Sequence, residues 1–318
     1  MPNRALTFPG QGSQAVGMGV ALAAVYPSAR AVFAEVDEAL GEKLSALMEA
    51  GPEETLRLTE NAQPALMAVS MAVVRVLEAE GASVPKIAKF VAGHSLGEYS
   101  ALCAAGSIGI ADAARLLRIR GRAMQQAVPV GQGAMAALLG LENNVAEQVA
   151  RDAAQGQVCE IANDNAPFQV VVSGHAPAVE RAIGLARESG VRRAILLPVS
   201  APFHCSLMGP AAEVMRAALA DVKIGAPCVP LVANVIAAPL TDPGEIRLRL
   251  VEQVTARVRW RESILWMIGA GGITELVELG AGKVLTGLAR RMAGEDRVRA
   301  VAVPDEIVAF LAAIRAGA

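Results

Sequence analysis

Lys89-Phe90-Val91-Ala92-Gly93-His94-Ser95-Leu96-Gly97, running on into Glu98-Tyr99-Ser100-Ala101, is the stretch from which the fold is read. Residues 89–92 predict a short buried strand, 93–97 a sharp turn and 98–105 a helix. A nucleophilic serine needs that order, because the turn lifts its hydroxyl to where a carbonyl can reach it. Glycines on both sides of Ser95 remove side chains that would collide in so tight a bend. The backbone N–H of Leu96 then falls at a helix N-terminus, where a developing oxyanion is stabilised. An ordinary strand-to-helix loop is the competing reading of the pentapeptide alone; the flanking strand and helix favour the elbow.

Upstream, residues 5–8 predict a first buried strand, followed by the glycine-rich turn Gly10-Gln11-Gly12-Ser13-Gln14, and residues 63–80 a long apolar helix. Between 133 and 199 the rhythm changes. Strands at 134–139, 158–162, 169–172 and 194–197 and helices at 143–154 and 178–189 follow the β-α-β-β-α-β order of a ferredoxin-like unit. Strands at 231–233, 275–279 and 299–303 then alternate with helices, as in a mostly parallel sheet. The expected fold is α/β. A large hydrolase-like domain with a mostly parallel sheet and nucleophile elbow comprises 1–128 and 199–318, with a smaller ferredoxin-like α+β domain inserted at 129–198.

The 318 residues are 53% hydrophobic with a net charge of −2, which supplies a large core and argues against nucleic acid, whose partners are strongly basic. Aromatics at 3% leave little for base stacking. Cys103, Cys159, Cys205 and Cys228 form no C-x-x-C pair and read as reduced thiols, neither a disulfide frame nor a zinc site. The start Met1-Pro2-Asn3-Arg4 lacks the apolar run of a signal peptide, and prolines break the charge-free stretches 194–212 and 224–241, so a cytoplasmic protein without a membrane span is expected.

Serine needs a general base, and the chain has three histidines. His94 adjoins Ser95, where neighbouring side chains diverge, and reads as structural. His175 reads as a surface turn residue. His204 leaves the insert's last strand through Ser200-Ala201-Pro202-Phe203, where the chain returns to the main sheet and a loop projects into a cleft between domains. With no acidic residue close after it, a backbone carbonyl or an amide is expected to orient its ring, making a dyad.

The helix at 110–127 gathers Ile110, Ala113, Leu116, Leu117, Ala123, Met124 and Ala127 on one face. Arg115, Arg118 and Arg122 fall on the opposite, solvated face, whereas Arg120 points into the apolar one. A guanidinium there costs several kcal/mol unless an anion meets it. Either a buried salt bridge or a substrate carboxylate, which arginine grips with two parallel hydrogen bonds, answers that cost.

Taken together the residues resemble the malonyl-CoA–acyl carrier protein transacylases. The resemblance rests on Phe8-Pro9-Gly10-Gln11-Gly12-Ser13-Gln14, Gly93-His94-Ser95-Leu96-Gly97-Glu98-Tyr99, the Arg118-Ile119-Arg120-Gly121-Arg122 run, Pro198-Val199-Ser200-Ala201-Pro202-Phe203-His204 and Glu278-Leu279-Gly280-Ala281-Gly282, and spans essentially the whole chain. It implies Ser95 as nucleophile, His204 as base, Arg120 on the malonyl carboxylate, and the backbone N–H groups of Gln11 and Leu96 as oxyanion hole. Gln253 would steady the histidine through its main-chain oxygen, and Asn163 would line the cleft from the small domain. Malonyl-CoA and acyl carrier protein would be the partners of a monomer serving fatty acid synthesis, with no permanently bound cofactor and CoA thioester as substrate. Arg187, Arg192, Arg193, Arg290 and Arg291 are candidates for a basic rim that docks the acidic carrier.

One departure is Arg257 before Val258-Arg259-Trp260, where the family often has proline-valine before its tryptophan. The rival readings are a serine hydrolase of related fold, an acyltransferase serving a polyketide synthase or malonate decarboxylase, and a silent carrier-docking scaffold. Gly10-x-Gly12 lacks the third glycine of a dinucleotide fingerprint, and Gly282-Lys283 is followed by valine and is no P-loop.

Overall fold

Short apolar runs bounded by glycine and proline form the strands of the first sheet in the computed structural model, which describes residues 2–316. β1 (Arg4–Phe8) is buried along its whole length. It lies between β2 (Phe90–Gly93) and a late strand, Glu275–Leu279, parallel to both. Strands buried on both faces read as continuous apolar runs, and β1 (Arg-Ala-Leu-Thr-Phe) fits that rule apart from its first residue.

The insert contributes β3 (Gly133–Leu139), β4 (Cys159–Ala166), β5 (Gln169–His175) and β6 (Arg193–Leu196). β7 (Leu231–Ala233), β8 (Ala238–Leu240), β9 (Glu275–Leu279) and β10 (Val298–Val301) complete the first sheet, whose order is β10-β9-β1-β2-β7-β8. Every pair in it is parallel except β7 with β8. β8, with proline at its centre, has no counterpart in the sequence reading.

The second sheet, β4-β5-β3-β6, is antiparallel throughout, the strand order of a ferredoxin-like unit. Period-two alternation divides its side chains. Ala136, Leu138, Ile161, Val170 and Val172 pack beneath the helices Asn143–Ala154 and Ala176–Glu188. Met135, Ala137 and Val171 turn the other way and join the core of the first sheet.

Two long helices lie at the centre of that core. Thr59–Ala79 has the length and apolarity of a bilayer span, yet 83% of its apolar window is buried inside the protein. It packs on Ile110–Gln126 so closely that a Cβ at Gly121 would sit 2.5 Å from Glu60 Cα. This crossing corrects one expectation. Arg118 lies at the edge of the apolar stripe rather than on a solvated face, and the start of the partner helix covers it to 7% exposure. There it donates to Asn61 Oδ1 at 2.6 Å and pairs with Glu42.

Candidate active site

Parallel strands deliver their loops to one edge of a sheet, and the loops after β1 and β2 meet at that edge. The elbow depends on two close approaches. A Cβ at Gly93 would lie 1.9 Å from the Gly97 carbonyl, and one at Gly97 would lie 2.2 Å from Phe8 O, so neither position admits a side chain. Ser95 sits between them at φ 54°, in the left-handed region that non-glycine residues rarely occupy. Asn234, just past β7, braces this strained turn, accepting from Ser95 N at 2.8 Å and donating to Gly93 O at 2.7 Å.

His204 also has positive φ, 57°, and is buried. Its Nε2 lies 2.7 Å from Ser95 Oγ, and its Nδ1 is 2.9 Å from the main-chain oxygen of Gln253. A carbonyl only accepts, so Nδ1 carries the proton and Nε2 presents the lone pair to serine. Burial, with Arg120 adding to it, pulls the His204 pKa down to about 3, which keeps the ring neutral near pH 7.

Arg120 is 1% exposed. It donates from Nη1 to Gln63 Oε1 at 2.9 Å, and from Nη2 to Gln253 Oε1 at 2.8 Å and Ser95 Oγ at 3.1 Å, while its Nε has no partner. Among the described residues no carboxylate lies within ion-pair distance of it, so the internal salt bridge is not what meets its charge. Tyr99 lies under the guanidinium, its ring centre 5.8 Å from Cζ.

A cleft of about 390 Å³ opens over these groups, with Gln11, Leu96 and Asn163 among its lining and Met124, Met135 and Phe203 as an apolar wall. Neither the Gln11 nor the Leu96 N–H has an acceptor among the described residues, so both are free to bind an oxyanion. Asn163 lies in β4 and bridges to Val258. Backbone bonds Asp164 N to Val258 O and Val258 N to Ala162 O tie this loop to the small sheet, and Arg257 reaches Glu147 at 2.7 Å. The residue that departs from the family pattern thus ties this loop to the helix Asn143–Ala154 of the small unit.

The rings of the other two histidines have partners other than the serine hydroxyl. His94 meets Asn165 Oδ1 at 2.8 Å and the edge of Trp260. His175 ends β5, half-buried, and accepts from Val158 N. Arg290 is paired with Glu295, and Arg291 donates to Gln169. No group of metal-ligating side chains occurs among the described residues.

Three polar residues escaped the sequence reading. Gln63 holds Arg120 from the facing helix, Asn234 holds the elbow, and Glu98, 1% exposed, accepts from Gln253 Nε2 at 2.5 Å. Burial raises the Glu98 pKa to about 7 against the opposing pull of Gln253, Asn234 and Arg120. A carboxylate directly after the elbow inside an apolar helix was a visible signal for Glu98; Gln63 and Asn234 carried none.

The chain is similar in sequence and in overall structure to known proteins. The sequence pattern of the family described as "Acyl transferase domain" matches residues 6–279. The malonyl CoA-acyl carrier protein transacylase of Escherichia coli (strain K12) is 46% identical over 311 residues, 98% of this chain and 99% of that one. A crystal structure of acyl-carrier-protein-S-malonyltransferase from Bartonella henselae superposes with a TM-score of 0.96 at 56% identity, covering 98% of this chain and 99% of that one. A malonyl-transacylase solved in complex with its type II PKS acyl-carrier protein gives 0.93 at 41% identity, covering 98% and 99%.

Proposed function

This chain belongs to the acyl transferase domain family, among the malonyl-CoA–acyl carrier protein transacylases, and on that premise we propose that it moves malonyl from CoA to the phosphopantetheine thiol of acyl carrier protein through an ester on Ser95. One observation carries the reading. A serine hydroxyl 2.7 Å from an imidazole lone pair is also 3.1 Å from a buried guanidinium that, among the described residues, no carboxylate meets within ion-pair distance. A hydrolase of simple esters has no use for that cation; an acyl group ending in a carboxylate does.

His204 Nε2 takes the Ser95 proton as Oγ attacks the thioester carbonyl, and the oxyanion rests on Gln11 N–H and Leu96 N–H. Losing one such donor costs about 3–4 kcal/mol in the transition state. Collapse expels the CoA sulfur, which takes the proton from His204, and leaves malonyl-Ser95 with its carboxylate on Arg120. The carrier's thiol then gives its proton to His204 and attacks the ester; Ser95 leaves and recovers that proton. Residues 129–198 form the inserted domain that walls the cleft through Asn163 and Met135. The protein acts as a cytoplasmic monomer with no permanently bound cofactor, and fatty acid synthesis is the pathway supplied.

The test is to weigh the intact protein after incubation with malonyl-CoA and acetyl-CoA separately. Malonyl adduct should form on the wild type and be absent from Ser95→Ala. Arg120→Ala should lose malonyl transfer by at least about 100-fold while retaining acetyl transfer, the scale expected when a charge-assisted pair is removed. Equal loss with both donors overturns the role of Arg120. A polyketide supply role is the second reading, favoured by the relative solved with its type II PKS carrier. Comparing rates with the two classes of carrier decides between them.

A further inference from the structure

Gln253 is completely buried, and every polar atom of its side chain is used. Its Nε2 has two hydrogens and donates to Ser95 O at 3.0 Å and to Glu98 Oε2 at 2.5 Å. Its Oε1 accepts from Arg120 Nη2 at 2.8 Å, and its main-chain oxygen holds His204. One residue therefore touches the base, the main chain of the nucleophilic serine and the carboxylate clamp.

An amide can sit either way round, and the wrong way here would aim an N–H at the N–H of Arg120. What fixes its direction is the pair of acceptors on the far side. Glu98 Oε2 faces two donors, Gln253 Nε2 and, at 3.4 Å, Asn234 N; Oε1 faces none. Whether or not Oε1 carries a proton, Oε2 accepts.

We propose that Glu98 is a positioning residue for acyl-group selectivity: its Oε2, together with Ser95 O, locks the Gln253 amide so that Oε1 faces Arg120 and aims the guanidinium at the substrate's free carboxylate. The inference rests on the reading of Arg120 given above and adds a residue that touches no substrate. Because acetyl transfer does not use the guanidinium, the signature is a change in the malonyl-to-acetyl ratio, not a general loss.

Glu98→Met removes the acceptor at similar length and should lower that ratio about tenfold, the effect of one buried hydrogen bond to a charged group. Glu98→Gln can keep an oxygen at the same place and should hold the ratio within about twofold. In an Arg120→Ala background neither substitution should change the ratio further, since coupling vanishes once the shared partner is gone. Should Glu98→Met not fold, Gln253→Met tests the same link, because the main-chain oxygen for His204 survives; it should also lose malonyl selectivity. An unchanged ratio in the variant that folds, equal loss of both transfers, or failure of Glu98→Gln alongside Glu98→Met overturns the proposal. If Arg120→Ala itself keeps malonyl selectivity, the earlier reading fails instead.

Discussion

Arg120 and His204 face the same serine, and their charges work against each other. Loss of hydration, with the cation adding to it, holds His204 near 3, far below the 6.5 of a free imidazole, so near pH 7 the base is unprotonated when substrate arrives. Balancing the neighbouring cation removes one of these two causes and makes the base stronger. A malonyl carboxylate on Arg120 does that, lowering the cost of the imidazolium formed during attack, whereas an acetyl group leaves the cation bare. Substrate choice and proton transfer are coupled through one electrostatic contact. The His204 ring should accordingly stay neutral in an NMR titration until the pH approaches about 3, and Arg120→Ala should move its midpoint upward. A midpoint at 6.5 in both proteins would remove this coupling.

At the scale of elements, the site exists because backbones approach closely at a few positions. The elbow turn presses against β1, and Gly97→Ala would force its Cβ to 2.2 Å from Phe8 O. That substitution should abolish malonyl-adduct formation or prevent folding, read by intact mass and by circular dichroism. The helix pair carrying Gln63 and Arg120 crosses at Gly121. Gly121→Ala should cost about 1–3 kcal/mol of stability in a denaturant titration, because backbone and not a flexible side chain stands in the way. Helix propensity alone predicts the opposite sign, a gain of up to about 1 kcal/mol, so the direction decides which effect governs the crossing.

Across the whole molecule, the buried titrating groups of the site leave a mark on stability. His94 and His204 both lie below the unfolded value of 6.5, so the stability they contribute is present above that pH and is lost as the pH falls. Glu98 runs the other way. Its folded value of about 7 exceeds the unfolded 4.5, so its contribution is full below 4.5 and is lost as the pH rises through 7. Glu98→Gln should therefore flatten the part of the change in Tm that Glu98 causes between about pH 4.5 and 7 relative to wild type, while leaving the acid-side loss due to the histidines in place. A difference curve without slope in that window would mean that Glu98 titrates normally.

The amino-acid sequence by itself determined the elements and the chemistry they carry. A strand, a glycine-flanked serine and a helix are adjacent in the chain, and Arg120 stands out against its own helix's apolar stripe, so local sterics and periodicity are enough to read them. Arg118, only a short arc from the same stripe, was misplaced because a neighbouring helix decides its burial. Only the tertiary structure brought Ser95 to His204, separated by 109 positions, and to Arg120 and Gln253, and only it disclosed Glu98, Gln63 and Asn234 as their supports. Hydrogen-bond partners supplied by separate elements leave no periodic trace in any one of them. They are fixed by how sheets and helices pack, once every buried donor must find an acceptor.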